Sequence, residues 1–256
     1  MVSSITLKNL IIGYRSKHQL RAIASPVHAS LQAGELTCLI GANGVGKSTL
    51  LRTLAGFQPA LDGEILIQDK SLSDFSAQEL AREISIVLTS KTDHAQLSAE
   101  EIVGIGRSPY TGFWGTLSAA DKQIVASALQ ETGIQHLAQR NISELSDGER
   151  QKVMIAKALA QQTRIIILDE PTAFLDFPSK IETLQMLRHL AHEQHKSILL
   201  STHDVELALQ LSDRLWLMEE SRFSIGTPKE LAADGSLSRF INSGGIRFNK
   251  DSLRIE

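Results

Sequence analysis

The string "GANGVGKST", Gly41 to Thr49, follows the apolar run "ELTCLI" and opens a helical pattern at Lys47. A strand feeding a glycine loop that feeds a helix is the most restrictive feature of this chain, because it dictates a backbone path together with its ligand. Glycines 41, 44 and 46, with Asn43 between them, let consecutive backbone N–H groups converge on phosphate oxygens without Cβ clashes, while the helix N-terminus adds a favourable dipole. Gly41, Asn43, Gly44 and Gly46 are therefore candidate nucleotide contacts. Lys47 would neutralise β and γ oxygens and is expected to reach into solvent toward them. Ser48 would place its hydroxyl on Mg2+, and Thr49 reads as a helix residue that also reaches a phosphate.

The remaining hydrophobic pattern points to an α/β core. Short β-rich runs, "ITLKNLIIGY", "ELTCLIG" and "GEILIQ", alternate with turns in the first third. Later come "ISIVL", "RIIILDE", "SILLST" and "RLWLM", nearly continuous apolar strands set apart by helix-length segments, the pattern of a parallel sheet covered on both faces. Approximately residues 90–162 read as almost entirely helical, with N-cap signals in "SAEE" and "SAAD", and predict a helical subdomain. The C-terminal extension, approximately residues 235–256, carries a Gly-rich turn "NSGG" between "RFI" and "IRF" and is expected to pack on the core. At 256 residues, one domain with a subsidiary lobe is the expected organisation.

A net charge of -3 disfavours nucleic acid as a partner. The single cysteine, Cys38, lies in "LTCLIG" and predicts an inert buried thiol in a chain with no internal disulfide. No basic, apolar, small-residue leader opens the sequence, and no apolar run reaches the roughly 18 residues of a membrane span, so work at a membrane is expected to proceed through a partner.

"RIIILDEP" sets four aliphatics before Asp169 and Glu170, which places both carboxylates at the carboxyl end of a central strand, where open α/β sheets bind ligands. Asp169 would hold Mg2+, usually through water. Glu170 would polarise a water in line with the γ-phosphorus.

The order of "GANGVGKST", "LSDGERQ", "RIIILDEP", "AFLD" and "STHD" resembles the ATP-binding cassette (ABC) family, from about Leu7 to Leu231. The resemblance implies a P-loop NTPase cassette with a mostly parallel core sheet, an N-terminal antiparallel β subdomain and a helical subdomain. It implies ATP and Mg2+ as cofactors. It also implies a head-to-tail dimer with a second copy, in which each ATP lies between one subunit's phosphate loop and the other's signature motif. On that pattern Tyr14 stacks on adenine, Ser146 and Gly148 contact the γ-phosphate from across the dimer, Asp176 couples the two sites, and His203 contacts the γ-phosphate and fixes the attacking water.

The signature string departs from the family pattern by carrying Asp147 where a glycine is usual. A carboxylate about 4 Å from a phosphate charge would cost roughly 4 kcal/mol at an effective dielectric of 20, so Asp147 is expected to point away, capping the helix or meeting a basic group. Glu149, in place of the usual Gln, reads as a first-turn acid favourable to the helix dipole. A second departure follows "ISIVL", where the family places a Gln that reaches Mg2+ and the attacking water. Thr89 stands there, and its shorter hydroxyl needs loop movement or an intervening water to reach the metal.

Within the helical segment, "GRSPYTGFWG" gathers Tyr110, Phe113 and Trp114, either as the lobe's own small core or as a docking surface for a partner's amphipathic helix. This string, "LSDGERQ" and the "GTPKEL" tail resemble the ATPase subunit of bacterial importers of iron siderophores, haem or cobalamin. That resemblance implies integral-membrane permease subunits, indirectly a periplasmic or surface substrate-binding protein, and a peripheral place on the cytoplasmic face of the cell membrane. An exporter ATPase shares every chemical motif and stays open as an alternative, as does a soluble cassette ATPase outside transport. No Asn-Lys-x-Asp string supports a GTPase.

Overall fold

The computed structural model describes residues 3–15, 20–23, 26–88, 96–242, 248–250 and 252–255. The chain opens with β1 (Ser3–Ile11), the hairpin strands β2 (Gly13–Arg15) and β3 (Leu20–Ala22), and β4 (Val27–Gln32). β1 pairs antiparallel with β4 on one side and with β6 (Asp62–Ile67) on the other; β7 (Lys70–Ser71) extends the edge, giving the order β4-β1-β6-β7. This is the expected N-terminal antiparallel sheet.

The larger sheet contains β5 (Leu36–Gly41), β8 (Ile84–Val87), β9 (Ile165–Leu168), β10 (Ser197–Thr202), β11 (Arg214–Met218) and β12 (Phe223–Gly226), in the order β12-β11-β5-β10-β9-β8. All neighbours are parallel except the edge pair β11–β12. The unbroken apolar runs have a direct cause in the period-2 alternation of side chains, because both faces are covered. Leu36, Cys38 and Ile40 of β5 and Ile166 and Leu168 of β9 enter one core cluster, whereas Leu39, Ile165 and Ile167 enter the other. Burial pushes the Cys38 thiol up to about 12, so it stays an unreactive core group.

On the second face, α1 (Lys47–Leu54) leaves the glycine loop and packs Leu50, Leu51 and Leu54 beneath the antiparallel sheet. α2 (Ala77–Glu83), opened by a Ser76–Glu79 capping box, precedes β8. The first face carries α3 (Ala99–Ile105), α4 (Ala119–Glu131) and α5 (Asp147–Ala160), together with α6 (Phe177–Gln194) and α7 (Val205–Leu211). "SAEE" and "SAAD" do start helices: Ser98 with Glu101 and Ser118 with Asp121 form capping boxes. Residues 106–118, however, run as turns and irregular chain inside a segment expected to be almost entirely helical. Pro109 and the glycines at 112 and 115, the latter at φ 63°, explain the break.

"RFI" falls in α9 (Ser236–Ile241), which follows α8 (Pro228–Ala233), and Phe248 begins a two-residue strand, β13 (Phe248–Asn249), paired with β14 (Arg254–Ile255). Most of "NSGG" lies outside the described residues. Leu237, Ile241 and Phe248 are buried in the same cluster as the main sheet, so the extension packs on the core. Among the described residues, no helix is long and apolar enough to cross a membrane.

Candidate active site

The glycine loop sits at the carboxyl end of β5 and turns in the left-handed region at Gly44 (φ 77°) and Gly46 (φ 112°). At Gly46 a Cβ would lie 2.4 Å from Ile23 Cγ2, so both dihedral and space demand glycine. Gly46 is also the N-cap of α1, where no side chain caps the helix and no acid lies in the first turn. The Lys47 side chain corrects the expectation of a lysine reaching into solvent. It is only 5% exposed, and its Nζ donates to the carbonyls of Gly41 at 2.8 Å and Ala42 at 3.2 Å. Burial lowers its pKa from the ordinary value, against the opposing charges of Glu170 and Asp169. The loop's own carbonyls thus hold the ammonium at the helix start.

A cleft of about 960 Å³ is lined by the loop from Ala42 to Thr49, including Ser48, together with Tyr14, Ile23, Glu170, Met218 and Phe240. Tyr14 is exposed, and its hydroxyl lies 2.9 Å from Thr49 Oγ1. Thr49 itself is buried in α1 with its hydroxyl turned to Tyr14. The strings 35 residues apart therefore meet in one cleft.

Asp169 and Glu170 emerge from β9 as the sequence predicts. Glu170 adopts φ 49°, a left-handed conformation that costs a non-glycine residue roughly 1–2 kcal/mol. Its backbone N–H donates to Ser201 Oγ at 2.9 Å, and its Oε1 lies 2.6 Å from His203 Nε2. The same Ser201 hydroxyl donates to Asp169 Oδ1 at 2.7 Å. Sequence reasoning found His203 but missed Ser201, although a hydroxyl closing the apolar run "SILLST" two residues before that histidine was the available signal.

Ser48 and the buried Asp169 offer hard oxygen donors, the chemistry Mg2+ takes while keeping waters and phosphate oxygens. No group of three or more His, Cys, Asp or Glu side chains that could cage a metal occurs among the described residues. The donor set fits a metal carried in with a nucleotide. Thr89 lies outside the described residues.

Ser146, Gly148 and Asp176 are not among the residues lining the cleft. They share a different surface, because a Cβ at Gly148 would meet Leu175 Cδ2 and Ser179 Oγ, each at 3.8 Å, and Ser179 N–H donates to Asp176. Ser146 caps α5 in a capping box: Glu149 accepts from the Ser146 N–H and hydroxyl, both at 2.8 Å. Asp147 does not cap. It faces Arg150 at 3.3 Å in an exposed ion pair, the second of the two fates expected for it.

The aromatic cluster divides. Tyr110 stacks beside Arg107, whose guanidinium is 4.1 Å from the ring centroid, and donates its hydroxyl to Gln161 O at 3.1 Å. Arg107 is itself buried, bonding Asp121 and the carbonyl of Ala160. Phe113 and Trp114 meet edge to face at 5.5 Å yet are 95% and 88% exposed. They do not form a core for the lobe.

An uncapped helix start on a left-handed glycine loop, with Lys47 inside it and an Asp-Glu strand end beside it, defines a P-loop nucleoside-triphosphate hydrolase. Within that class, the chain belongs to the ABC transporter family, whose pattern matches residues 24–173, and it is the ATPase of such a transporter. It is 36% identical over 211 residues to the iron(3+)-hydroxamate import ATP-binding protein of Bacillus subtilis, covering 82% of this chain and 77% of that protein. With the ferric enterobactin transport ATP-binding protein of Escherichia coli it shares 32% identity over 239 residues, covering 93% and 87%. A solved dimeric ATP-binding cassette in a post-hydrolysis state, bound to ADP and Pi, superimposes with a TM-score of 0.75 at 25% identity, covering 88% of this chain and 98% of that one.

Proposed function

We propose that this ATPase powers uptake of a ferric siderophore or a related metal chelate, working as a head-to-tail pair on the cytoplasmic face of a membrane permease that receives its cargo from a substrate-binding protein. The import assignment is supported by relatives named for iron-hydroxamate, enterobactin and petrobactin import or transport. The hydrolytic mechanism is carried by one observation: Glu170 lines the same cleft as the phosphate loop while its carboxylate is held by His203.

In this reading the loop N–H groups and Lys47 bind the β and γ phosphates, and Tyr14 stacks on the adenine. Glu170 accepts a proton from the attacking water, and His203 keeps its carboxylate aimed there and reaches the γ-phosphate. Ser48 and Asp169 would hold Mg2+, which supplies neutralisation of the triphosphate charge when bound. Ser146 and Gly148, absent from the chain's own cleft, serve the ATP of the second copy, and Asp176 links the two sites. The exposed pair Phe113 and Trp114 docks a cytoplasmic helix of the permease.

Glu170→Gln tests the composite site. Hydrolysis is expected to fall by about two to four orders of magnitude while ATP binding persists. Light scattering with ATP, ADP and no nucleotide should find a dimer only with ATP, alone or with the permease present; a protein that stays monomeric under both conditions refutes the head-to-tail site. For cargo, permease and ATPase in proteoliposomes should hydrolyse ATP faster when the binding protein carries a ferric siderophore, and indifference to every loaded chelate refutes import. Trp114→Ala should weaken co-purification with the permease and leave the isolated ATPase intact.

A further inference from the structure

Ser201 is fully buried at the carboxyl end of β10, one residue beyond the Leu200–Leu168 pairing with β9. Its hydroxyl donates to Asp169 Oδ1 and accepts from the Glu170 N–H, so one oxygen is bonded to both residues of the acidic strand end. We infer that Ser201 is a positioning residue for ATP hydrolysis: it fixes the Asp169 carboxylate and holds the left-handed backbone of Glu170 that aims its side chain at the cleft.

Three features carry this. A hydroxyl can give and take a hydrogen bond at once, which neither alanine nor a carbonyl can do. Complete burial excludes solvent, and the space of a deleted hydroxyl is too small for a replacement water, so the Asp169 carboxylate would lose this bond and the Glu170 N–H its acceptor. Finally, β10 ends at Thr202, and the next residue, His203, meets the Glu170 carboxylate. The ends of β9 and β10 are therefore joined twice, by Ser201 at the Glu170 backbone and by His203 at its side chain. Slack at the first junction would be felt at the second.

The inference rests on the proposed roles of Asp169 and Glu170, and the experiment separates the two. Ser201→Ala is compared with wild type and Glu170→Gln, at a temperature well below each melting point. The turnover number of Ser201→Ala should drop about 10- to 100-fold, the scale for supporting partners of functional ligands. ATP affinity measured in EDTA should stay within about twofold, while the extra affinity conferred by Mg2+ should shrink. Should the alanine protein not fold, Ser201→Cys fills the site with a slightly larger group and a much weaker donor and is read in the same way. A folded variant that turns over within twofold of wild type overturns the inference, as does one whose ATP affinity in EDTA falls in step with its rate. If Glu170→Gln also hydrolyses normally, the reading of the site has failed; if it is inactive while Ser201→Ala is not, only the role of Ser201 has.

Discussion

Two helix starts in this molecule are both assigned to the phosphates of ATP, and they are built in opposite ways. α1 begins at a glycine with no side-chain cap and no acid in its first turn, and it carries a buried lysine there. α5 begins with a complete capping box, and both Asp147 and Glu149 sit in its first turn. An uncapped N-terminus keeps its N–H groups and positive dipole end for an external anion, whereas at α5 the Glu149 N–H is already engaged by the Ser146 hydroxyl and the Ser146 N–H by the Glu149 carboxylate. In the proposed reading that difference divides the labour: α1 would serve the nucleotide of its own chain, and α5 would contribute through Ser146 and Gly148 to a phosphate brought by a second copy.

Removing the charge at the open start should have the largest effect. Lys47→Ala forfeits an interaction worth about 4 kcal/mol at an effective dielectric of 20, so MgATP affinity should fall on the order of a thousandfold by calorimetry. Unchanged affinity in a folded variant would erase the contrast. Ser146→Ala removes a cap and should cost roughly 0.5–2 kcal/mol of stability, lowering the melting temperature by a few degrees without changing ATP affinity of the isolated chain. Reduced affinity there would mean that α5 serves its own chain's site.

Smaller effects sharpen the same comparison. Bonds from the Ser146 backbone N–H, and then from its hydroxyl, hold the Glu149 carboxyl below its ordinary value of 4.5. A depressed folded-state pKa means that the stabilisation is present above about pH 4.5 and fades as pH falls through the depressed value. Acid unfolding curves of Glu149→Gln should therefore converge with wild type at low pH and separate above it; parallel curves would deny the capping box any role. Asp147→Gly should change least, leaving ATP affinity and turnover within a few-fold, because the carboxylate faces Arg150 in solvent. A hundredfold gain in affinity would show that this charge faces the nucleotide.

The elements that were legible in the sequence are those whose cause is local. "RIIILDE" announces β9 because every residue of the strand is buried, and the glycine loop announces itself because Gly46 cannot carry a Cβ. Ser201 was harder to see as a site residue because its two partners lie just past the end of the neighbouring strand, 31 and 32 positions away, and its place before His203 was the one local signal. The break after α3 was hidden because the N-cap signals "SAEE" and "SAAD" mark where helices start and not where they stop, and of the three aromatics there Tyr110 is tied to the lobe while Phe113 and Trp114 meet each other in solvent. The fold of Lys47 onto its own loop was likewise beyond reach, since a lysine pattern states a charge and not where the ammonium rests.

The two tryptophans make the protein its own optical instrument. Trp216 is wholly enclosed beside Phe223, whereas Trp114 stands 88% exposed. Their fluorescence should separate into a blue-shifted component shielded from iodide and a red-shifted component that iodide quenches. Capture of the Phe113–Trp114 pair by a permease helix would move the second component toward the blue and protect it, while the first stayed constant as an internal reference. Docking would then be followed in real time, without a label and independently of turnover.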